Sequence, residues 1–172
     1  MQVPSSPASA VSIYALGFIL LGSAAAQDLP NQAEPFDNVT TAGQPDAASL
    51  SALAAAGVTT VIDLRGSEED RGFDEAVVVE ELGMRYISLP VNGPDGVTFE
   101  NAATLDRLLD GAQGRVLIHC STSNRAGALL ALRDKLLGAG NEAALELGRA
   151  AGLKSLEPVV RDRLESAPPQ AP

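Results

Sequence analysis

No internal disulfide can form in this chain, because its 172 residues include a single cysteine, Cys120. Histidine is as scarce, with one residue at position 119; tryptophan is absent and aromatics make up 3% of the sequence. Basic side chains are in deficit: 12 Lys and Arg stand against 22 Asp and Glu, a formal net charge of −10. That balance argues against nucleic acid or an anionic membrane surface as the main partner. Any anion site must therefore be assembled locally, from a few arginines and backbone amides. Charged side chains are missing altogether from residues 1–26.

Within that opening segment, "VSIYALGFILLGSAAAQ" sets about a dozen apolar residues ahead of small residues at Ala24 and Ala26, the pattern of a secretory signal peptide cut before Gln27. The run is too short for a comfortable membrane span. Residues 1–26 read as a signal peptide, 27–35 as a disordered linker, 36–165 as one folded domain and 166–172 as a disordered tail rich in proline. This predicts a periplasmic or secreted protein with no stable membrane span after signal cleavage. An uncleaved anchor is the alternative. Under oxidising conditions a lone thiol has two uses, as a small buried hydrophobe or as a reactive group.

Punctuation and periodicity divide the domain into alternating elements. "FDNVTTAGQP" reads as a short strand and a turn, "DAASLSALAAAG" as a helix capped by Asp46, and "VTTVIDL" as a β-branched strand. "DEAVVVEELG" is a helix stopped by Gly83, "MRYISLPV" a strand, "NGPDG" a loop, "TFENAATLDRLLDG" a helix and "RVLIHC" a near-continuous apolar strand. Three helices follow: "RAGALLALRDKLLGAG", "NEAALELGRAAG" opened by Asn141, and "LEPVVRDRLES" opened by Ser155. The alternation predicts an α/β fold, with a central parallel sheet of about four strands flanked by helices.

In open parallel sheets, ligands sit at the carboxyl ends of the strands. That rule gathers "RGSEEDRG", "PVNGPDGV" and "CSTSNR" at one edge. The last carries most chemistry. Successive amides of a strand-to-helix loop form an inward-facing nest, and the helix that begins near Arg125 adds its positive end. A Cys120 thiolate would be stabilised by those dipoles and by Arg125, whose planar fork can also grip two oxygens of a tetrahedral dianion.

With its single His-Cys pair and closing arginine, "HCSTSNR" resembles the signature of cysteine-dependent phosphatases, at the shorter Cys-x4-Arg spacing. Together with "AGQP", "GVTTVIDLRGSEED" and "GRAAGL", in that order over residues 36–153, it is similar to the beta-lactamase-hydrolase-like phosphatase family, a branch of the dual-specificity phosphatase fold. The resemblance implies a phosphatase-like domain over 36–165 that needs no metal and no cofactor. It implies Cys120 as the nucleophile forming a phosphocysteine, Arg125 as the holder of the equatorial oxygens, and the amides of Ser121, Thr122, Ser123, Asn124 and Arg125 as the cradle. His119 would fix the position of the cysteine. The partner implied is a phosphorylated small molecule or phosphoprotein.

The general acid is expected to be Asp95, in a Pro-Asp-Gly turn able to swing over a substrate, with Glu68, Glu69 and Asp70 as competitors. Arg65 is expected as a second anion contact, or else in a surface ion pair with Glu68 or Glu69. Asp63, inside a strand, is expected to make structural hydrogen bonds. Two features depart from the wider phosphatase pattern. Ala126 stands where most tyrosine phosphatases place a hydroxyl that helps the thiolate leave, and the loop lacks glycine, so Asn124 is the residue expected to take any left-handed conformation. The short loop also resembles that of rhodanese-type sulfurtransferases, and a non-catalytic phosphate- or sulfate-binding module would use the same cradle.

Overall fold

The computed structural model describes residues 29–166. The signal peptide expected over residues 1–26 and the tail expected beyond Ser166 lie outside the described residues. Five strands form one sheet in the order β1-β2-β5-β3-β4. They are β1 (Ala33–Phe36), β2 (Val39–Ala42), β3 (Val58–Asp63), β4 (Arg85–Ser88) and β5 (Arg115–His119). The helices are α1 (Ala47–Ala55), α2 (Glu75–Glu81), α3 (Phe99–Asp110), α4 (Asn124–Leu136), α5 (Asn141–Ala150) and α6 (Glu157–Glu165).

Strands β2, β5, β3 and β4 are all parallel, which is the expected four-stranded core. The fifth strand is a correction. β1 pairs antiparallel with β2 through a hairpin at Asp37 and Asn38, so the linker expected over 27–35 is ordered from Leu29 onward and part of it extends the sheet. Leu29 is buried, and Arg115 on β5 holds Glu34 at 3.0 Å. Pro35 fits this place because an edge strand can forgo one ladder donor.

Period-two alternation along β5 separates the two faces of the sheet. Val116, Ile118 and Cys120 enter the larger apolar core with Leu129, Leu130 and Leu132 of α4, Leu105 of α3, Leu145 of α5 and Leu164 of α6. Leu117 faces the smaller core with Leu50 of α1 and Val79 of α2. Cys120 and His119, adjacent in sequence, therefore face opposite sides.

Asp46, Asp74 and Thr98 cap α1, α2 and α3 through their side chains. The caps of α5 and α6 fall one residue from expectation, on Gly140 and Leu156. Asn141 instead donates to Leu164 O (3.3 Å), and Ser155 accepts from Asn124 (2.7 Å).

Helix α4 runs through the core against α5, and Gly127 is where the two backbones come closest. A methyl group there would stand 2.5 Å from Gly148 O and closer still to Leu153 N. Gly127→Ala is accordingly expected to lower the unfolding free energy by about 1–3 kcal/mol, measured by urea denaturation, despite alanine's better helix propensity.

Candidate active site

The loop Cys120–Ser123 leaves the carboxyl end of β5 and turns directly into α4. Cys120 is 1% exposed, and its amide donates to Ala42 O (3.4 Å). The amides of Ser121, Thr122, Asn124 and Arg125 meet no acceptor among the described residues. They lie at the start of a 13-residue helix, where the backbone dipoles favour an anion.

Left-handed backbone in this loop belongs to Ser123 (φ 69°, ψ −12°) and not, as expected, to Asn124. A non-glycine residue in that region costs about 1–2 kcal/mol, and tertiary bonds offset it. Ser123 Oγ donates to Ala151 O at 3.0 Å and is fully buried. Gly152, at φ +101°, backs onto it so closely that a Cβ would come 2.5 Å from Ser123 Oγ. Asn124 is committed elsewhere: its Oδ1 accepts from Lys154 N (2.8 Å) and Leu156 N (3.3 Å). The side chains of Ser123 and Asn124 thus tie the loop to "GRAAGL" and its flank, and of these two residues only Asn124 has an amide without an acceptor among the described residues. Thr122 is exposed, and its backbone bridges to Gly43.

Arg125 joins the three strand ends. Its Nη1 donates to Val91 O (3.1 Å), Leu64 O (3.4 Å) and Glu69 Oε1 (2.5 Å). Its Nη2 donates to Glu69 Oε2 (2.7 Å) and Ser121 Oγ (2.9 Å). Bonding to Glu69 first, and the nearby Cys120 sulfur after it, push the guanidinium's pKa upward against the effect of burial. In return, Arg125 holds the Glu69 carboxyl at about 2, well below its ordinary value. Both Glu69 carboxylate oxygens are engaged, Oε1 by Arg125 and Gly66 N and Oε2 by Arg125 and Ser121 Oγ. Glu68 accepts from Ser67 and Asp70 from Gly72 N, both at the surface. Asp95 lies exposed in a 3₁₀ turn, Pro94–Gly96, four residues beyond the Val91 carbonyl that Arg125 holds.

Arg65 corrects the expectation most sharply. Its side chain is fully buried on the reverse face of the sheet, away from the cradle. Nε reaches Asp63 Oδ1 (2.9 Å), and Nη2 reaches both Asp63 Oδ2 (3.0 Å) and Glu75 of α2. Asp63 also accepts from the Arg65 amide (2.9 Å), Arg71 Nε (3.0 Å) and Tyr86 Oη (2.8 Å). Burial alone would raise the Asp63 pKa, but these donors, Arg65 foremost, bring it far below the ordinary 3.8. Burial and the Asp63 hydrogen bond push Tyr86 up to about 12.

His119, also fully buried, joins this network. Its Nε2 lies 2.7 Å from Glu75 Oε1, off the line of a hydrogen bond, and 3.9 Å from Asp63 Oδ1. Asp63, Glu75 and His119 bring one possible metal-ligand atom each within 4.8 Å of one another. Arg65 and Arg71 supply positive charge to those carboxylates, while Arg65 Nη1, Glu75 Oε1 and both ring nitrogens of His119 are buried without a hydrogen-bond partner among the described residues.

A mostly parallel sheet carrying a Cys-x4-Arg loop between its central strand and a buried helix defines a cysteine-phosphatase-like α/β domain. The profile of the family described as DSP-PTPase phosphatase fused to NAD+ kinase matches residues 21–156, and the chain belongs to that family. Beta-lactamase hydrolase-like proteins of two Xylella fastidiosa strains are 28% identical over 127 residues, 66% of this chain but 29% of theirs. The chain therefore spans less than a third of the length of these curated relatives.

Among solved structures, a candidate phosphatase of Neisseria meningitidis superposes with a TM-score of 0.67 at 23% identity, covering 78% of this chain and 96% of the other. A cysteine-to-serine form of TpbA from P. aeruginosa, in complex with pTyr, gives 0.64 at 23% identity, covering 84% and 92%. The Siw14 catalytic core gives 0.62 at 14% identity, covering 82% and 87%. These likenesses establish the fold. Among the described residues no helix is long and apolar enough to cross a membrane.

The reverse-face network predicts a stability phenotype for Arg65. Arg65→Leu takes the cation from buried Glu75 and two hydrogen bonds from buried Asp63, and should lower the unfolding free energy by about 3–5 kcal/mol in urea denaturation. A variant of unchanged stability but raised KM would return Arg65 to the anion site. Because the Asp63 pKa is depressed in the folded state, its contribution to stability is complete above the ordinary 3.8 and is lost as pH falls through the folded-state value.

Proposed function

We propose that this chain is a cysteine-dependent phosphatase that hydrolyses phosphate monoesters through a phosphocysteine on Cys120. The observation that carries the reading is the meeting of the Cys120 sulfur, the Arg125 guanidinium and the open amides of the loop at the start of α4. Family membership favours this chemistry over sulfur transfer in the same loop.

The Cys120 thiolate attacks phosphorus, forming the S–P bond as the P–O ester bond breaks. Arg125 and the loop amides hold the equatorial oxygens throughout. Asp95, entering as the carboxylic acid, gives its proton to the departing oxygen. Its carboxylate then takes a proton from water, whose oxygen attacks phosphorus. The S–P bond breaks, releasing inorganic phosphate and restoring the thiolate. Asp95 is proposed for both proton steps because the exposed turn that carries it adjoins the Arg125 contact and can approach a substrate's leaving group. With Ala126 in place of a hydroxyl, the sulfur leaves unassisted in the second step, so hydrolysis of the intermediate limits turnover.

The substrate is a phosphorylated small molecule or a phosphoprotein. The pTyr bound by the P. aeruginosa relative makes an aryl phosphate the first compound to test. Export to the periplasm or medium is part of the proposal, resting on the uncharged apolar segment before Gln27; sequencing of the secreted or periplasmic protein should begin at that residue.

Rapid mixing of the protein with p-nitrophenyl phosphate should give a burst of nitrophenol stoichiometric with enzyme, together with an acid-trapped phosphocysteine. Cys120→Ser should abolish both. Asp95→Asn should lower kcat by about 100-fold or more, with a smaller effect on highly activated esters that need no acid. Equal activity of wild type and Cys120→Ser would overturn the mechanism, and Cys120-dependent sulfur transfer from thiosulfate to cyanide without phosphatase activity would replace it.

A further inference from the structure

The cations around the cradle differ in how their charge is balanced. Arg125 is paired with Glu69, and Arg71 with Asp63. Lys154, in the turn between α5 and α6, makes no ion pair among the described residues. Its ammonium donates to a neutral acceptor, Asn31 Oδ1, at 2.6 Å. The chain carries a formal net charge of −10, yet this exposed lysine has no carboxylate partner there.

Two sets of contacts place that ammonium beside the cradle. At the backbone, Lys154 N donates to Asn124 Oδ1 (2.8 Å), and Asn124 is the residue that begins α4 and contributes an open amide. At the far end, Asn31 follows Pro30, whose carbonyl accepts from Gly43 N (2.6 Å), and Gly43 bridges to Thr122. The lysine side chain therefore runs from the Asn124 end of the loop to its Thr122 flank. Glu69 and the Ser121 hydroxyl meet on the other flank. Thr122 and Lys154 are both exposed, so a molecule held in the cradle can reach the ammonium through solvent.

We propose that Lys154 is a specificity-determining residue that takes a second anionic group, phosphoryl or carboxylate, on the same molecule whose first phosphoryl group lies in the cradle. On binding, the ammonium exchanges the neutral Asn31 oxygen for a charged one. That hydrogen bond is the stronger of the two, and no ion pair is broken to form it. The four-carbon stem lets the ammonium follow anions at several spacings, so the site selects for a second charge more than for one scaffold. The inference names the substrate class of the site and rests on the phosphatase reading for the first phosphoryl group.

Phosphonates, whose P–C bond is not hydrolysed as an ester is, allow binding to be measured by calorimetry on the wild-type chain. Alkane-α,ω-bisphosphonates and ω-carboxyalkylphosphonates of graded chain length are compared with alkylphosphonates of the same length. At its best length a doubly charged ligand should bind about 3- to 10-fold tighter than its singly charged counterpart. Lys154→Gln should remove that gain, and Lys154→Arg should keep it. Asn31→Asp leaves the lysine in place but gives it a carboxylate partner, and should reduce the gain as well. Rising salt should shrink it, because both charges are exposed. The ratio of affinities is taken within each variant, and thermal melts establish that folded protein is compared.

Absence of a gain at every length in the wild type would overturn the proposal, as would a gain that survives Lys154→Gln. An undiminished gain in Asn31→Asp would separate the ammonium from the second anion and overturn the geometry. A Lys154-dependent gain with only one class of ligand upholds the proposal and identifies the second group as phosphoryl or carboxylate. A chain that binds no phosphonate overturns the cradle and the proposal together. A Lys154-dependent gain in a chain that hydrolyses no p-nitrophenyl phosphate supports the second-anion site and overturns the phosphatase reading alone.

Discussion

Arg125 is bonded to each of the loops that leave the sheet beside it: Leu64 O and Glu69 after β3, Val91 O after β4, and Ser121 within the loop from β5. Without such a shared cation, three strand ends would present carbonyls and a carboxylate to one another at close range. With it, their spacing is set by one rigid planar group. The order of strands makes this possible, because β3 lies between β5 and β4 and all three run parallel, so their carboxyl ends open on the same side. The proposed anion site would thus be a consequence of sheet topology, with Arg125 supplying its positive charge.

The reverse face of the same sheet obeys a different constraint. Asp63 and Glu75 are fully buried, and such carboxylates persist only where charged donors compensate their lost hydration. Arg65 and Arg71 provide that compensation, and Tyr86 adds a neutral donor. His119 binds the arrangement to β5 immediately before Cys120. A movement of α2 would carry Glu75 with it and disturb His119, the residue next to Cys120. The two faces are coupled through one peptide bond, even though their side chains never meet.

Much of this was legible in the sequence. A β-branched strand leading into "HCSTSNR" located the loop, and alternating elements located it at the edge of a parallel sheet. Arg65 could have been placed by the same logic. Positions 63, 65 and 119 fall on the face opposite Leu64 and Cys120 by strand alternation, which sets Arg65 with Asp63 and away from the cradle. Its third partner, Glu75, comes from a helix and needed the folded structure. Ser123 escaped for another reason: local preference selects Asn124 for left-handed backbone, but the amide side chain of Asn124 is occupied by residues 154–156, some thirty positions away. β1 was hidden by its four-residue length and its proline, since its stability comes from pairing with β2.

The distribution of charge also bears on how a chain of net charge −10 would accommodate the dianion proposed above. At physiological ionic strength exposed charges are screened over about 8 Å, so the many surface carboxylates contribute little at the cradle. What acts there is short-ranged: one guanidinium, a set of unpaired amides and the first turn of α4. Glu69 is the exception, a carboxylate beside the cradle whose pKa is lowered chiefly by its hydrogen bonds to Arg125. Its charge is met by the Arg125 fork, and four hydrogen bonds restrain it, two from Arg125, one from Gly66 N and one from Ser121 Oγ, so the loop after β3 and the start of α4 are held together by one ion pair.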